Sequence, residues 1–110
     1  MPTTVPGVKS PPIQASIEFQ CLPRGGVQSF TITTTPAFKI SWGTAYADGG
    51  THASTGTGVI PATGTLRVPW TVAADVPFGA ARTDIAIVGE VDHETEAAYR
   101  HLEWRTAQSC

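Results

Sequence analysis

Residues 82–106 read RTDIAIVGEVDHETEAAYRHLEWRT, and the alternation in this stretch decides the fold class. Ile85 and Ile87 alternate with small or polar residues, which is the period of a half-buried β-strand. We predict strands at about 82–91 and 98–106, joined by a loop at 93–96 into an antiparallel hairpin. A helix over 94–105 fits less well, because its apolar residues have mixed spacing and no closing glycine follows.

The hairpin has a register that separates apolar from polar side chains. With a four-residue loop, Ile87 lies opposite Leu102 and Ile85 lies opposite Trp104, on the face that we predict to be buried. A slip of one residue would mix the two faces, so we expect this register. The other face then carries the pairs Asp84 with Arg105, Ala86 with Glu103, Val88 with His101 and Glu90 with Tyr99.

The same period recurs through the chain after residue 15. Pro69 lies inside one alternating run, which indicates an edge strand or a bulge. Short strands between Gly- and Pro-containing turns predict an all-β fold, an antiparallel two-sheet sandwich of about seven strands over residues 16–110. The further alternating runs are Ile17–Cys21, Phe30–Thr34, Phe38–Trp42 and Leu66–Val72, with a weak edge strand near 57–60.

Composition and charge narrow the possible functions. The 110 residues suit one domain. Only 15 % are charged and the net charge is −2, without the clustered Lys and Arg that nucleic-acid binding requires, so we expect no nucleic-acid partner. No run of about 18 apolar residues occurs, so we expect no membrane-spanning segment. The stretch from Met1 to Pro6 lacks the basic start and apolar core of a secretory signal.

Residues 1–15, MPTTVPGVKSPPIQA, contain four prolines and few large apolar residues. This composition predicts an extended N-terminal arm outside the core. The alternatives are an arm that docks on a neighbouring molecule and a linker or frayed terminus. For docking, we expect a second contact surface in loop 43–65. The predicted partner-binding residues are Val5, Val8, Pro11, Pro12, Ile13 and Tyr46.

The two cysteines, Cys21 and Cys110, are 89 positions apart. Counting along the strands places Cys21 on the inward face with Ile17, and Cys110 on the inward face with Trp104. If the first and last strands are neighbours, both thiols point into one interior, and we predict a disulfide between them. The alternative is a pair of reduced cysteines.

The stretch Val68–Gly79, VPWTVAADVPFG, followed by Thr83–Ile87, TDIAI, resembles the penultimate corner of bacterial and phage immunoglobulin-like domains. Such domains often carry a Val-Pro-Ala-Asp-x-Pro-x-Gly segment before a strand of alternating branched residues. The chain departs from that pattern at Ala80 and Ala81, where an aromatic residue is common, and it lacks cysteines in its central strands. The resemblance implies an immunoglobulin-like sandwich and says little about function, because these domains serve as spacers, adhesins, carbohydrate binders and virion decorations.

No sequence motif for catalysis or cofactor binding occurs, so we expect no enzyme, no cofactor and no metal. His93 lies among acidic residues at the hairpin tip, which we interpret as a solvated turn rather than a metal site. The strand pattern directs Trp42, Trp70 and Trp104 inward as core residues. Tyr46 and Tyr99 are then the aromatic residues expected on the surface.

Two non-catalytic hypotheses remain open. The first is an accessory subunit of a phage particle, of the capsid-decoration type, which binds a protein lattice or neighbouring subunit through the arm and one sheet edge or loop; a homo-oligomer is an open alternative. The lack of an export signal, the Pro-rich arm and the threonine-rich exterior favour it. The second is an immunoglobulin-like spacer or surface- or carbohydrate-binding module from a secreted bacterial protein, which a disulfide favours. The expected location is therefore the virion or, alternatively, the cell exterior.

Overall fold

The computed structural model of the chain describes residues 9–110, which form two β-sheets and no helix. The all-β prediction is confirmed, and no described segment is a helix that could cross a membrane. Pro69 lies on an edge strand, as its sequence position indicated. The strands are β1 (Gln14–Ile17), β2 (Cys21–Leu22), β3 (Val27–Thr33), β4 (Lys39–Ala45), β5 (Thr55–Val59), β6 (Thr65–Thr71), β7 (Gly79–Val91) and β8 (Glu94–Thr106).

The two sheets pack face to face. The smaller has the order β1-β3-β6, and the larger has the order β2-β8-β7-β4-β5. All neighbouring strands are antiparallel except β2, which runs parallel to β8. The weak strand predicted near 57–60 is therefore an edge strand of the larger sheet, β5. Residues 9–110 form eight strands, one of them only two residues long, where the sequence predicted about seven.

The core lies between the sheets and is filled by side chains that alternate inward. Phe30, Ile85 and Ile87 are essentially inaccessible to solvent. Trp104 is buried at one end of the interior, and Trp42 and Trp70 pack against the central cluster with ring centroids 4.8 Å apart. Burial of these rings and branched side chains is the main favourable term in folding. The predicted inward placement of the three tryptophans is confirmed.

The register predicted for the β7–β8 hairpin is wrong. Asp92 and His93 form a two-residue turn in which both residues have positive φ, 52° and 66°. Ile85 therefore lies opposite Arg100, and Trp104 lies opposite Ala81. A two-residue turn with this backbone matches the twist of its strands better than the four-residue loop that we expected. The partners shift by four residues, an even number, so each side chain keeps its predicted face.

The strand predicted over residues 17–21 is divided between the two sheets. Near Phe19 the chain leaves β1, which pairs with β3, and enters β2, which pairs with β8. Buried Gln28 supports this crossing, since its Oε1 accepts a bond from Phe19 N (3.1 Å) and its Nε2 donates to Phe19 O (2.8 Å). Phe19 lies midway between Ile17 and Cys21 in the predicted alternating run, which implied an inward side chain. Its side chain is 41 % exposed, so this placement is wrong.

Candidate functional site

The outer face of the five-stranded sheet is made of residues from four antiparallel strands. Side chains at every second position of each strand point to this face. The ladder pairing arranges them in rows that cross the sheet from β5 to β8. The first row is Val59, Lys39, Val88 and Ala97, the second is Thr57, Ser41, Ala86 and Tyr99, and the third is Thr55, Gly43, Asp84 and His101.

Three large apolar side chains stand on this face in the first two rows. The exposed fractions are 56 % for Val59, 48 % for Val88 and 53 % for Tyr99. Lys39 lies between Val59 and Val88 in the first row. In the second row the short side chains of Ser41 and Ala86 leave one trough beside the Tyr99 ring and another beside Val59 and Val88. Exposed apolar side chains that lie together, with polar neighbours around them, are typical of an interaction surface. We call this set of residues, Val59, Val88, Tyr99, Ser41 and Ala86, the outer-face patch.

Polar side chains border the outer-face patch on one side. Asp84 Oδ1 lies 2.6 Å from His101 Nδ1 and 3.0 Å from Arg82 Nε. The imidazole of His101 also packs edge-on against the Tyr99 ring, with centroids 4.9 Å apart. These contacts hold Tyr99 beside the trough, and they place one acidic and two basic groups within reach of a bound partner.

Tyr46 is buried, so its expected exposure is wrong. Its side chain is only 3 % exposed. The hydroxyl lies 2.8 Å from Ser54 Oγ and accepts a bond from Trp70 Nε1 (3.4 Å), while the ring packs edge-on against Trp104. Because the hydroxyl has its partners inside the protein, the whole residue can be buried at low cost. Tyr46 therefore packs at one end of the core, and its predicted role in partner binding stays a prediction.

The predicted docking residues of the arm lie in different environments. Val5 and Val8 lie outside the described residues. Pro11 is buried, and half-buried Ile13 packs against the core cluster, so both contact the protein's own sandwich. Pro12 is exposed. A role for these residues in partner binding stays a prediction, and Pro12 is the one predicted arm residue within 9–110 that is exposed.

The predicted disulfide joins Cys21 to Cys110, with their Cα atoms 5.9 Å apart. It links β2 to the segment that follows β8. Cys110 is exposed and Cys21 is half-buried, so the bridge lies at the rim of the sheet and the predicted inward direction of both thiols is wrong. For Cys110 the reason is that β8 ends at Thr106, beyond which alternation no longer sets the direction of a side chain. For Cys21 the reason is the crossing at Phe19, after which Leu22 is the buried residue of β2.

Local hydrogen bonds alter the titration of carboxyl groups away from the outer-face patch. The pKa of Glu18 is lowered mainly by a bond from the Ser29 hydroxyl. The pKa of Asp48 is lowered mainly by a bond from the Gly50 N–H.

Within residues 9–110, no three His, Cys, Asp or Glu side chains come close enough together to hold a metal ion. His93, at the hairpin turn, is exposed.

The outer-face patch was only partly visible in the sequence. Tyr99 was expected to be exposed, but Val59 and Val88 were not singled out. The available signal was Val88, which follows Ile87 and is an apolar residue where the alternation calls for a polar one.

We compared the chain with protein-family models, with curated proteins and with solved structures. It matches none of them.

Proposed function

We propose that this chain is an immunoglobulin-like interaction module without catalytic activity, and that its outer-face patch binds a protein partner. The observation that carries the proposal is the exposure of Val59, Val88 and Tyr99, each about half exposed, beside the two troughs that Ser41 and Ala86 line. Contact with an apolar surface of a partner would remove this area from water, which is favourable. The adjoining Asp84 and His101 would orient the partner.

The order of the strands supports an immunoglobulin-like assignment. In such sandwiches strands A, B and E lie in one sheet, and G, F, C and C′ lie in the other. The orders β1-β3-β6 and β8-β7-β4-β5 correspond to these two sheets. Trp42 on β4 packs edge-on against Phe30 of the opposite sheet, with centroids 5.6 Å apart, and lies beside Ile85 in the ladder. These apolar residues take the place of a disulfide between the sheets.

The setting that we propose is the outside of a virus particle, where the chain decorates a capsid lattice. Two observations support it. The surface carries few charges, and a disulfide is suited to an oxidising exterior. Many weakly bound copies on a repeating lattice reinforce one another through multivalency. The N-terminal segment with Val5 and Val8 is the second docking element in this proposal.

Binding to particles tests both the patch and the setting. Particles produced from the genome that encodes the chain are incubated with purified protein and sedimented, and the bound fraction is measured. We expect Tyr99→Asp to lower the apparent affinity at least tenfold, because a carboxylate would be desolvated in an apolar contact. Thr71→Asp, at an exposed position on β6 of the other sheet, is the matched control.

The outcome of this experiment distinguishes the parts of the proposal. Wild-type protein that does not sediment with particles contradicts the virion setting. Binding that Tyr99→Asp leaves intact contradicts the role of the patch. A deletion of residues 1–8, which leaves β1 and Ile13 in place, tests the arm separately. We expect this deletion to weaken particle binding while the thermal unfolding curve stays unchanged.

A second candidate function is a carbohydrate-binding or spacer module of a secreted bacterial protein. The exposed ring of Tyr99 beside a trough, with Asp84 in the next row, favours it because a sugar ring stacks on an aromatic face and bonds to a carboxylate. A glycan array is the test. Specific binding that is lost in Tyr99→Ala supports this function over the capsid one, and an array without signal removes it.

A further inference from the structure

Strand β5 lies at the edge of the five-stranded sheet, and no other described strand pairs with its outer side. Two main-chain bonds show which of its residues face β4. Thr44 N donates to Ser54 O (2.9 Å), and Ile60 N donates to Phe38 O (2.8 Å). The residues of even number at both ends of β5 are therefore bonded to β4.

The odd-numbered residues of β5 have main-chain groups without a strand partner. In an antiparallel ladder each neighbour uses every second residue, so the N–H and C=O groups of Thr55, Thr57 and Val59 point away from β4. Such groups are a ready template for another strand. Charged residues and prolines commonly protect an edge, and the sequence of β5, TGTGV, has neither.

The glycines of β5 hold this edge against the core. A Cβ atom on Gly56 would lie 2.8 Å from Trp42 Nε1, and one on Gly58 would lie 3.1 Å from Leu66 Cδ2. The indole and the leucine therefore occupy the space on the inner side of the strand. The backbone of β5 rests directly on packed side chains, so its outer groups are already positioned for a partner strand before it binds.

We propose that β5 pairs with β5 of a second copy of this chain, antiparallel and about a two-fold axis at Thr57. In this register Thr57 lies opposite its own counterpart, and Thr55 lies opposite Val59 of the other copy. Each of these residue pairs exchanges both of its main-chain hydrogen bonds. The unpaired residues are spaced symmetrically about Thr57 and are uncharged, so the edge is complementary to itself.

Pairing through β5 would merge two five-stranded sheets into one continuous sheet. The outer-face patches of the two copies would then lie on the same side, with the β-branched side chains of Thr55 and Val59 in contact across the new boundary. A double patch would bind a repeating surface more strongly than one patch by multivalency. The dimer does not depend on the proposed function, because its contacts are made by β5 alone.

Variants that place a charge of either sign at Thr57, on the two-fold axis, test the proposal. The experiment uses the full chain. Sedimentation is measured between about 1 and 500 µM, the range in which a small interface associates. We expect the wild type to dimerise, and we expect Thr57→Lys and Thr57→Glu each to weaken dimerisation at least tenfold through like-charge repulsion. An equimolar mixture of the two variants should restore a dimer. Thr71→Lys, on edge strand β6 of the other sheet, should dimerise like the wild type.

Amide hydrogen exchange distinguishes edge pairing from other modes of association. In a β5 dimer, the amides of Thr55, Thr57 and Val59 exchange more slowly as concentration rises, while that of Gly58 stays protected throughout. A wild type that remains monomeric at about 500 µM overturns the proposal. So does a dimer that Thr57→Lys leaves intact, a variant mixture that does not associate, or a dimer that is lost instead on Tyr99→Asp or on deletion of residues 1–8.

Discussion

The two edges of the five-stranded sheet differ in how far other described residues cover them. The edge at β8 is covered at both ends, by Lys9, whose carbonyl accepts a bond from Ala97 N (2.9 Å), and by β2, whose Cys21 pairs with Arg105. At the edge formed by β5, the described residues provide no such cover. Described residues of the N-terminal segment therefore cover the two ends of the β8 edge, and none of them covers β5.

The length of the two strands gives a physical reason for this difference. β8 has 13 residues, and an unpaired edge of that length would be a strong site for aggregation. β5 has five residues and presents main-chain groups from only three of them. A short edge supports weak, reversible pairing, and Lys9 and β2 shorten the unpaired stretch of the long β8 edge. The disulfide Cys21–Cys110 makes the cover of the β8 edge covalent.

The largest effect on stability is expected when the disulfide between Cys21 and Cys110 is removed. In the double variant Cys21→Ser, Cys110→Ser, we expect the free energy of unfolding to fall by about 4 kcal/mol, because the disulfide closes a loop of 89 residues in the unfolded chain. Urea denaturation measures the loss, and wild type with reductant should behave like the variant. A loss below about 1 kcal/mol would show that β2 holds the β8 edge without the disulfide.

A smaller effect on stability is expected from a substitution in β5, the edge strand without a described partner on its outer side. Gly56→Ala puts a Cβ atom 2.8 Å from Trp42 Nε1, so the strand or the indole must move, and we expect a cost of about 1–3 kcal/mol. Gly43→Ala is the matched control, because its Cβ would lie 3.3 Å from the Thr55 methyl and an ordinary 3.9 Å from Ser54 O, and we expect it to cost less than about 1 kcal/mol. Thermal unfolding of both variants checks the difference. Equal costs would contradict the close packing of β5 on the core.

The smallest effect on stability is expected from an ion pair at the β8 edge, in which Lys9 Nζ lies 2.8 Å from Glu94 Oε2. The hydrogen bond from Lys9 lowers the pKa of Glu94 from its ordinary value of 4.5, and the bond to Glu94 raises the pKa of Lys9 above its ordinary value of 10.5. The contribution of Glu94 to the free energy of unfolding is therefore fully present above pH 4.5, and it is lost as the pH falls through the pKa of Glu94 in the folded protein. That of Lys9 is present below pH 10.5 and is lost as the pH rises through its folded pKa.

The variant Lys9→Met tests this ion pair by NMR titration of the carboxyl groups. The pKa of Glu94 should rise towards 4.5, and the stability difference from the wild type should disappear in acid. Glu18 is the internal control, because Ser29 and Arg67 lower its pKa independently of Lys9. An unchanged pKa of Glu94 would show that Lys9 covers the edge through its main chain alone.

Local pattern was enough to assign most residues to a face and not enough to assign their partners. The prediction for β7 and β8 directed Ile85, Ile87 and Trp104 inward correctly, although it paired Ile85 with the wrong residue. Facing depends only on the two-residue period of a strand, which a turn of even length preserves. Pairing depends on the turn itself, and Asp92–His93 adopts a backbone with positive φ that the acidic sequence around it did not reveal.

The candidate site follows the same division. Tyr99 was identified from its strand position, whereas the burial of Tyr46 depends on Ser54 and Trp70, which reach its hydroxyl from elsewhere in the chain. The open edge of β5 likewise results from the order of strands in the sheet. The sequence by itself determined the all-β class and most of the buried faces, because the alternation of a strand is local. The disulfide was predicted correctly, but its place at the rim of the sheet was not, because strand parity did not set the direction of either thiol. Only the tertiary structure decided the register, the crossing at Phe19 and the unpaired edge, because these depend on which strands meet.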